Sequence, residues 1–537
     1  MPDPAPEISL DRLHRWWMAI APACIADLTV SIDLWRLLQR AWSRGAALPQ
    51  LPIVVGQTYE ADLAATVTRK RQGSYYTPAA IAQFVVEATV TSACGEATPP
   101  TILDPACGGG IFLVVAYRAL VRQYKPSRPD GYIALLEQLH GVDVDPNAVA
   151  VTRLALCLAA IEAVCLTNLT RKSPPNLLHE DWQSAPLQGT SGNLSSRLSQ
   201  TIRCASTLLF AGDTFPSNAS EAAFPSNAQF DVVLGNPPYV DAETMTRCSP
   251  ALRHYCRSRY QTARGNWDLF CVFIERALQL CRAGGWHSFV VPNKLASADY
   301  AAPARSLLSR YQLHQLRDYS QVKAFSAAVY PLVYVLRAEA AIAGSVTYTV
   351  MDTPEQSREN YRLCRSRFAL DRPWCLSPQQ GWLTRLQQYP KLGDVLTVTG
   401  AMTVAEAYRL KPLIYDSPHP TEAFPLVNSG TIDRYTHHWG KKPLRYLGDR
   451  YQYPVVSRTQ LAAALPKRYQ QATTPKIIIA GLTHQLECIW DPEGTLLAGK
   501  STTVILLPPP VAHLGPVLRG LLNSRLMTDY FRALFGY

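Results

Sequence analysis

The chain is expected to fold as an α/β protein, with a doubly wound, parallel sheet between a helical N-terminal segment and a strand-rich C-terminal domain. Three observations predict this. Residues 73–345 alternate apolar strand-like runs with helical periodicity, the pattern of a parallel sheet covered by helices. The run Ile102-Leu103-Asp104 leads into a glycine loop, Pro105-Ala106-Cys107-Gly108-Gly109-Gly110, and a helix from Ile111 onward. A later apolar run, Phe230 to Gly235, stops at Asn236-Pro237-Pro238-Tyr239.

Taken in order, residues 1–72 form an N-terminal helical region. Leu10, Leu13, Trp16 and Trp17, then Ile32, Leu34, Trp35, Leu37 and Leu38, recur at helical spacing and read as core packing. The glycine loop lets backbone approach a ligand closely. Its spacing is not G-x-G-x-x-G, and it has no Walker lysine for phosphates. The stretch 126–139 reads as an extra helix. His140-Gly141-Val142-Asp143 is a second strand, and an acid at that point in a doubly wound sheet holds ribose hydroxyls. Asp145-Pro146 opens another helix. A helix from about Asp268 to Cys281 is expected to stop at Gly284-Gly285, before a strand over Ser288–Val291. Residues 346–390 read as a connector. Residues 391–537 are strand-rich, with runs such as Lys476–Ala480 and Thr502–Leu507.

Asn236-Pro237-Pro238-Tyr239 carries the chemistry. Proline fixes φ and removes a donor, and it pushes the preceding residue to an extended conformation. The Asn236 side-chain oxygen and a neighbouring backbone carbonyl can then face one spot. Two fixed acceptors suit an exocyclic NH2, which has two donors, and leave the nitrogen lone pair aimed outward. Tyr239 offers a flat face for a planar ring. Prolines number 41 of 537, so a double proline alone says little; the tetrapeptide after a buried-strand pattern is what matters.

Composition bounds the rest. A chain of 537 residues suggests two or three domains. Hydrophobic content of 47% with 17% charged residues is that of a globular protein. A net charge of +11 and a pI of about 9.0 favour a polyanionic partner. No run of about 18 uninterrupted apolar residues is present, so no membrane span is expected, and the N-terminus lacks a signal pattern. Thirteen cysteines without a C-x-x-C pair fit neither a zinc site nor a disulfide framework. His437 and His438 have no partner spacing for a metal, and none is expected. A reduced cytoplasm is the expected setting.

These motifs together resemble S-adenosylmethionine-dependent DNA adenine-N6 methyltransferases of gamma motif order. The resemblance is nearest to the methyltransferase part of type IIG restriction-modification enzymes. Arg69 to Pro78 is similar to the family's motif X, Asp104 to Gly110 to motif I, Gly141 to Pro146 to motif II and Asn236 to Tyr239 to motif IV. Asn266-Trp267-Asp268-Leu269-Phe270 through Pro292 resembles motifs V to VII, and Lys323 to Pro331 motif VIII. The close resemblance covers residues 50–340.

The resemblance implies a Rossmann-like methyltransferase sheet over 73–345 as catalytic domain, and a target-recognition domain over 391–537. It implies S-adenosyl-L-methionine as cofactor, bound by Tyr76, Thr77, Pro78, Asp104, Ala106, Gly108, Asp143, Asp213 and Phe215. The catalytic set would be Asn236, Pro237, Pro238, Tyr239 and Phe325, with Tyr239 and Phe325 clamping a flipped adenine. The family's acid after the third strand has two candidates, Asp181 and Asp213. Asp213 is preferred, because Phe215–Ala219 is repeated at Phe224–Ala228; without one copy of this loop Asp213 would closely precede Asn236.

In the last domain, positive charge is interleaved with aromatics from Arg434 to Arg458. Arg434, Lys441, Lys442 and Arg445 are the candidate DNA contacts, since Arg and Lys hold phosphates. The expected function is site-specific methylation of adenine N6 in double-stranded DNA, in a restriction-modification or phage-defence system. A separate restriction endonuclease or defence-complex subunit would be a further partner. Residues 1–72 show no P-D followed by D/E-x-K, so no cleavage by this chain is expected. Two alternatives are a methyltransferase-like recognition subunit of a defence complex and an RNA or protein amino-group methyltransferase.

Overall fold

A computed structural model describes residues 18, 28, 30, 32–43, 50–64, 77–95, 98–169, 197–213, 222–322, 330–368, 373–376, 381–386, 389–481 and 483–535. The chain divides into two compact units, Met1–Leu376 and Ser377–Tyr537.

The first unit is built on a nine-stranded sheet: β1 (Ile102–Asp104), β2 (Leu139–Asp143), β3 (Ile202–Cys204), β4 (Phe230–Gly235), β5 (Cys281–Pro292), β6 (Tyr311–Asp318), β7 (Pro331–Ala340), β8 (Ser345–Met351) and β9 (Ser357–Cys364). Their order is β3-β2-β1-β4-β5-β7-β6-β8-β9. The five strands from β3 to β5 are parallel, as the alternating pattern predicts. The sheet as a whole is mixed. β7 lies antiparallel between β5 and β6, and β9 antiparallel to β8. Continuous apolar runs such as β7 do not declare their direction, so the sequence pattern could not separate these cases. β8 and β9 fall within or beside 346–390, the stretch expected to be a connector.

Alternation along the strands sends neighbouring residues to opposite faces. Ile102, Val232, Leu234 and Val290 join the apolar core on one side of the sheet. Leu103, Val233, Phe289 and Val291 join the core on the other. Helices cover the first of these faces: α1 (Leu34–Ser43), α2 (Leu51–Ala64), α3 (Ala79–Val86), α4 (Ile111–Tyr124), α5 (Pro129–Leu136) and α6 (Pro146–Leu169), while the helix Leu269–Leu280 packs on the other. By length and composition, Pro146–Val164 of α6 could cross a membrane, but 78% of that window is buried inside the unit. Arg153 on this helix is buried and donates to the Ile202 carbonyl at the mouth of β3. A core helix is therefore the physical reading.

Two details differ from expectation. The helix Leu269–Leu280 runs straight into β5 at Cys281, and Gly284-Gly285 lie inside that strand. Gly284 has φ of 77°, and the β4–β5 register shifts nearby, so the glycines serve an irregular strand. The third strand is Ile202–Cys204, upstream of the run at Leu209–Asp213 and downstream of the 177–181 segment, which lies outside the described residues.

The second unit contains two four-stranded sheets. One has β10 (Thr397–Gly400), β21 (Thr502–Leu506), β18 (Lys476–Ala480) and β19 (Cys488–Asp491) in that order. The other has β11 (Ile414–Asp416), β17 (Pro454–Ser457), β12 (Ala423–Val427) and β20 (Leu497–Ala498). Among the described residues, two small ribbons and several helices accompany them, the ribbons being β13 (Ile432–Asp433) with β14 (Thr436–His437), and β15 (Leu444–Tyr446) with β16 (Asp449–Tyr451).

Candidate active site

A cavity of about 250 Å³ opens where β1, β2 and β4 end, at the carboxyl edge where doubly wound sheets bind ligands. The glycine loop forms its floor. Gly108 and Gly110 have φ of 51° and 83°, a region that L side chains rarely enter. Two neighbours fix the loop. Thr152 Oγ1 on α6 donates to the Gly108 carbonyl at 2.8 Å, and Thr207 Oγ1, just after β3, donates to the Pro105 carbonyl at 2.8 Å.

Carboxylates crowd this floor. Asp143 accepts from the Gly108 N–H at 3.0 Å and the Asp145 N–H at 2.9 Å. Burial nonetheless pushes its carboxyl up to about 6. Asp104, 1% exposed, accepts from the Ala106 N–H at 3.2 Å. Its other oxygen, Oδ2, is buried without a hydrogen-bond partner among the described residues. Burial pushes Asp104 up to about 8; the Ala106 N–H opposes this, and Asp143 and Glu60 add to it. A Cβ at Gly235 would stand 2.5 Å from Asp104 Oδ1, so only glycine lets β4 pass beside this carboxyl.

Asn236 and Pro238 line the opposite wall. The Asn236 amide donates from Nδ2 to Thr77 Oγ1 at 3.0 Å. The Tyr239 hydroxyl lies within reach of both Asn236 Oδ1 and the Val290 carbonyl, and has one proton to give. Tyr239 is 8% exposed, and its ring meets Phe270 edge-on at 6.2 Å. Its hydroxyl, rather than a free face, is thus directed at Asn236. Asp268 caps the helix Leu269–Leu280 and accepts from the Val240 N–H at 3.0 Å, pinning the turn from behind.

Of the residues singled out from sequence, Thr77, Ala106, Gly108, Asp143, Asn236 and Pro238 line one cavity, with Asp104 beneath it. Pro237 is buried beside it. Pro78 stands at the N-cap of α3. Asp213 lies elsewhere, along a different depression. Its carboxylate is engaged by the Tyr255 hydroxyl and the Arg259 guanidinium. Tyr76, Asp181, Phe215 and Phe325 lie outside the described residues.

Sequence reasoning missed helix α2, assigned there to packing alone. Tyr59, Glu60 and Leu63 from it line the cavity. The Tyr59 hydroxyl donates to Asp145 Oδ2 at 2.7 Å, and Glu60 Oε1 accepts from the Gly109 N–H at 3.2 Å. The usable signal was Gly56, a glycine inside a helix. A Cβ there would stand 2.5 Å from the Gly109 carbonyl oxygen, so it permits the helix to touch the loop.

In the second unit, Lys441, Lys442 and Arg445 are exposed. Arg434 donates to the Asn523 carbonyl and lies 5.8 Å from the Tyr435 ring centre.

Comparison with known proteins finds similarity to DNA methylases. The model of the Eco57I restriction-modification methylase family matches residues 137–325, and that of the N-6 DNA methylase family residues 53–185. Type II methyltransferase M.PaeR7I of Pseudomonas aeruginosa is 26% identical over 280 residues, covering 52% of this chain and 42% of the relative. The matched region thus spans less than half of that relative's length. Type II methyltransferase M.BstVI of Geobacillus stearothermophilus is 24% identical over 412 residues, covering 70% of this chain and 66% of the relative. Among solved structures, the Type IIL restriction-modification enzyme MmeI, determined in complex with DNA, superposes with a TM-score of 0.50 at 12% identity. That likeness covers 90% of this chain and 68% of the other, and speaks for the fold. In its matched regions, residues 53–185 and 137–325, the chain is similar to the N-6 adenine DNA methyltransferases of the Eco57I restriction-modification family.

Proposed function

We propose that the protein transfers a methyl group from S-adenosylmethionine to N6 of an adenine flipped out of double-stranded DNA, in a restriction-modification or phage-defence system. The observation that carries this reading is the placement of Asn236 on the same cavity as Asp143 and the glycine loop. An amine acceptor and a cofactor floor then share one enclosed space.

The floor fits a cationic cofactor. S-adenosylmethionine carries an ammonium and a sulfonium, and the sulfonium supplies the methyl. The unpartnered Asp104 Oδ2 and the raised carboxyls of Asp104 and Asp143 mark acids whose ionised forms lack a counterion, which a cationic ligand would supply. Asp143, at the end of the second strand, would hold the ribose hydroxyls. Gly108 and Ala106 leave room for backbone approach.

Adenine N6 cannot reach this cavity from within a duplex, so the base must leave the stack, at a cost of a few kcal/mol. Asn236 Oδ1 and the Pro237 carbonyl would accept the two amino hydrogens and orient the nitrogen lone pair toward the floor. Thr77 holds the amide by its nitrogen, and Tyr239 holds it near its oxygen. No general base of tuned pKa is required, because the methylated amine is acidic and loses its proton late. Catalysis is then positioning and electrostatics.

The test is Asn236→Ala. Methyl transfer to DNA should fall by about 10²–10³-fold or more, the scale of losing one preorganised hydrogen-bonding group. Calorimetric affinity for S-adenosylmethionine should stay near that of the parent. Sequencing for N6-methyladenine, in a host without its own adenine methylation, gives the product. Undiminished turnover in the variant would remove Asn236 from the chemistry.

A further inference from the structure

The ribbon formed by β15 and β16 combines three features that are unfavourable for folding alone. Its strands pair Leu444 with Tyr451, Arg445 with Arg450 and Tyr446 with Asp449. Leu444 and Tyr446, each 2% exposed, point into an apolar core with Met402, Phe424 and Val456. The alternation therefore turns Arg445 and Arg450 outward on one face, and both are exposed. Two like charges directly opposite each other on neighbouring strands repel. Neither guanidinium has a hydrogen-bond or ion-pair partner among the described residues.

The second feature concerns the ribbon's own carboxylate. Asp449 could neutralise the pair, but Lys411 Nζ takes it at 3.1 Å. The same ammonium donates to the Leu447 carbonyl at 3.0 Å. Third, the turn is made by Leu447 and Gly448, with φ of 47° and 97°. Two positive φ values suit a tight hairpin, but leucine rarely accepts one. Lys411 and the packing of Leu447 against the core hold this conformation. Backbone strain of this kind clusters where a ligand is bound. Lys441 and Lys442, both exposed, precede the ribbon.

We propose that this ribbon is the element of the second unit that seats on the DNA duplex, with Arg445 and Arg450 each neutralising a backbone phosphate. The assignment rests on the DNA substrate proposed above. A polyanion with closely spaced charges relieves the repulsion that the ribbon builds in, and a two-stranded ribbon fits the major groove. Solvation alone explains exposed arginines, but it does not explain why the ribbon's own carboxylate, Asp449, is held by Lys411 rather than by them.

The experiment uses the full chain. Affinity for a duplex carrying the methylated site and for a scrambled duplex is measured by fluorescence anisotropy from about 50 to 200 mM salt. The R445A/R450A double variant should bind both duplexes more weakly. Two lost phosphate contacts should lower the log–log salt slope by about 1.8, equivalent to about 60-fold at 0.1 M salt. The methylated sequence should not change, and the R445K/R450K variant should keep the parental slope. Parental affinity and slope in the alanine variant would overturn the assignment. So would a changed methylation site at an unchanged slope, which would mean base reading. Parental chain that binds duplex with steep salt dependence yet methylates nothing would instead overturn methyl transfer and leave the ribbon standing.

Discussion

The cavity floor of the first unit and the β15–β16 ribbon of the second both carry charge without a full set of partners, and they manage it in opposite ways. Asp104 is buried and Asp143 half-buried, so they can retain protons and shed charge; their raised carboxyls record this. Arg445 and Arg450 cannot deprotonate, so they stay in water. A third arrangement shows what a structural charge looks like here. Lys476 and Asp491 are 0% and 2% exposed in their side chains and lie 2.6 Å apart. Lys476 also donates to the Ala472 and Thr474 carbonyls. Asp491 also accepts from the N–H groups of Thr495 and Leu496. Completeness of partners thus separates scaffold from site better than burial or charge does.

The largest effect expected from breaking that contrast is at Asp143. A charge-assisted contact to a ribose hydroxyl is worth about 1.5–3 kcal/mol, so Asp143→Ala should weaken S-adenosylmethionine binding by roughly 10- to 150-fold. Asp143→Asn keeps an acceptor for the Gly108 or Asp145 N–H and controls for loop collapse. Calorimetry reads both. Unchanged affinity in the two variants would mean that the second-strand acid has no cofactor role.

A smaller effect sharpens the division within the cavity. Thr77 was expected from sequence to bind cofactor, yet its hydroxyl accepts from the Asn236 amide. Thr77→Val removes that acceptor at similar volume. If the hydroxyl holds Asn236, kcat should fall about fivefold, the scale of one neutral hydrogen bond, with cofactor affinity unmoved. A loss confined to cofactor affinity would return Thr77 to the cofactor side.

Much of this site was legible in the sequence because its signals are local. A strand, a glycine loop and a helix are contiguous from Ile102 onward, and Asn236-Pro237-Pro238 is a self-contained turn. What was not legible depends on long-range packing. Nothing local tells that α2 reaches the loop at Gly109, beyond the bare fact of Gly56. Tyr239 read as an exposed stacking face, but its burial is decided by Phe270 and the Val290 carbonyl, more than 30 residues away. The third strand was obscured because β3 has only three residues, too short for a periodicity. Arg445 and Arg450 looked like two members of a basic cluster. Their opposition across a ribbon follows from register, which the Leu447-Gly448 turn sets and composition does not.

The smallest effect is one of pH, and it tests the cavity's half of the contrast directly. An unperturbed aspartate titrates near 3.9. Asp143 and Asp104 titrate at about 6 and about 8 in the folded protein. Between these limits the native state binds more protons than the unfolded chain, so these two groups make stability fall as pH rises through the window. A cationic cofactor favours their ionised forms. Its binding should therefore release protons and tighten as pH rises toward 8. In scanning fluorimetry, the ligand-free Tm should decline from about pH 5.5 to pH 8 less steeply for Asp104→Asn than for the parent. The increment given by S-adenosylmethionine should grow over the same range, more in the parent than in Asp104→Asn, which keeps only Asp143. Calorimetry in buffers of different ionisation heat counts the released protons. An increment independent of pH, with no proton release, would mean that the floor carries no uncompensated charge, and the parallel with the ribbon would fail.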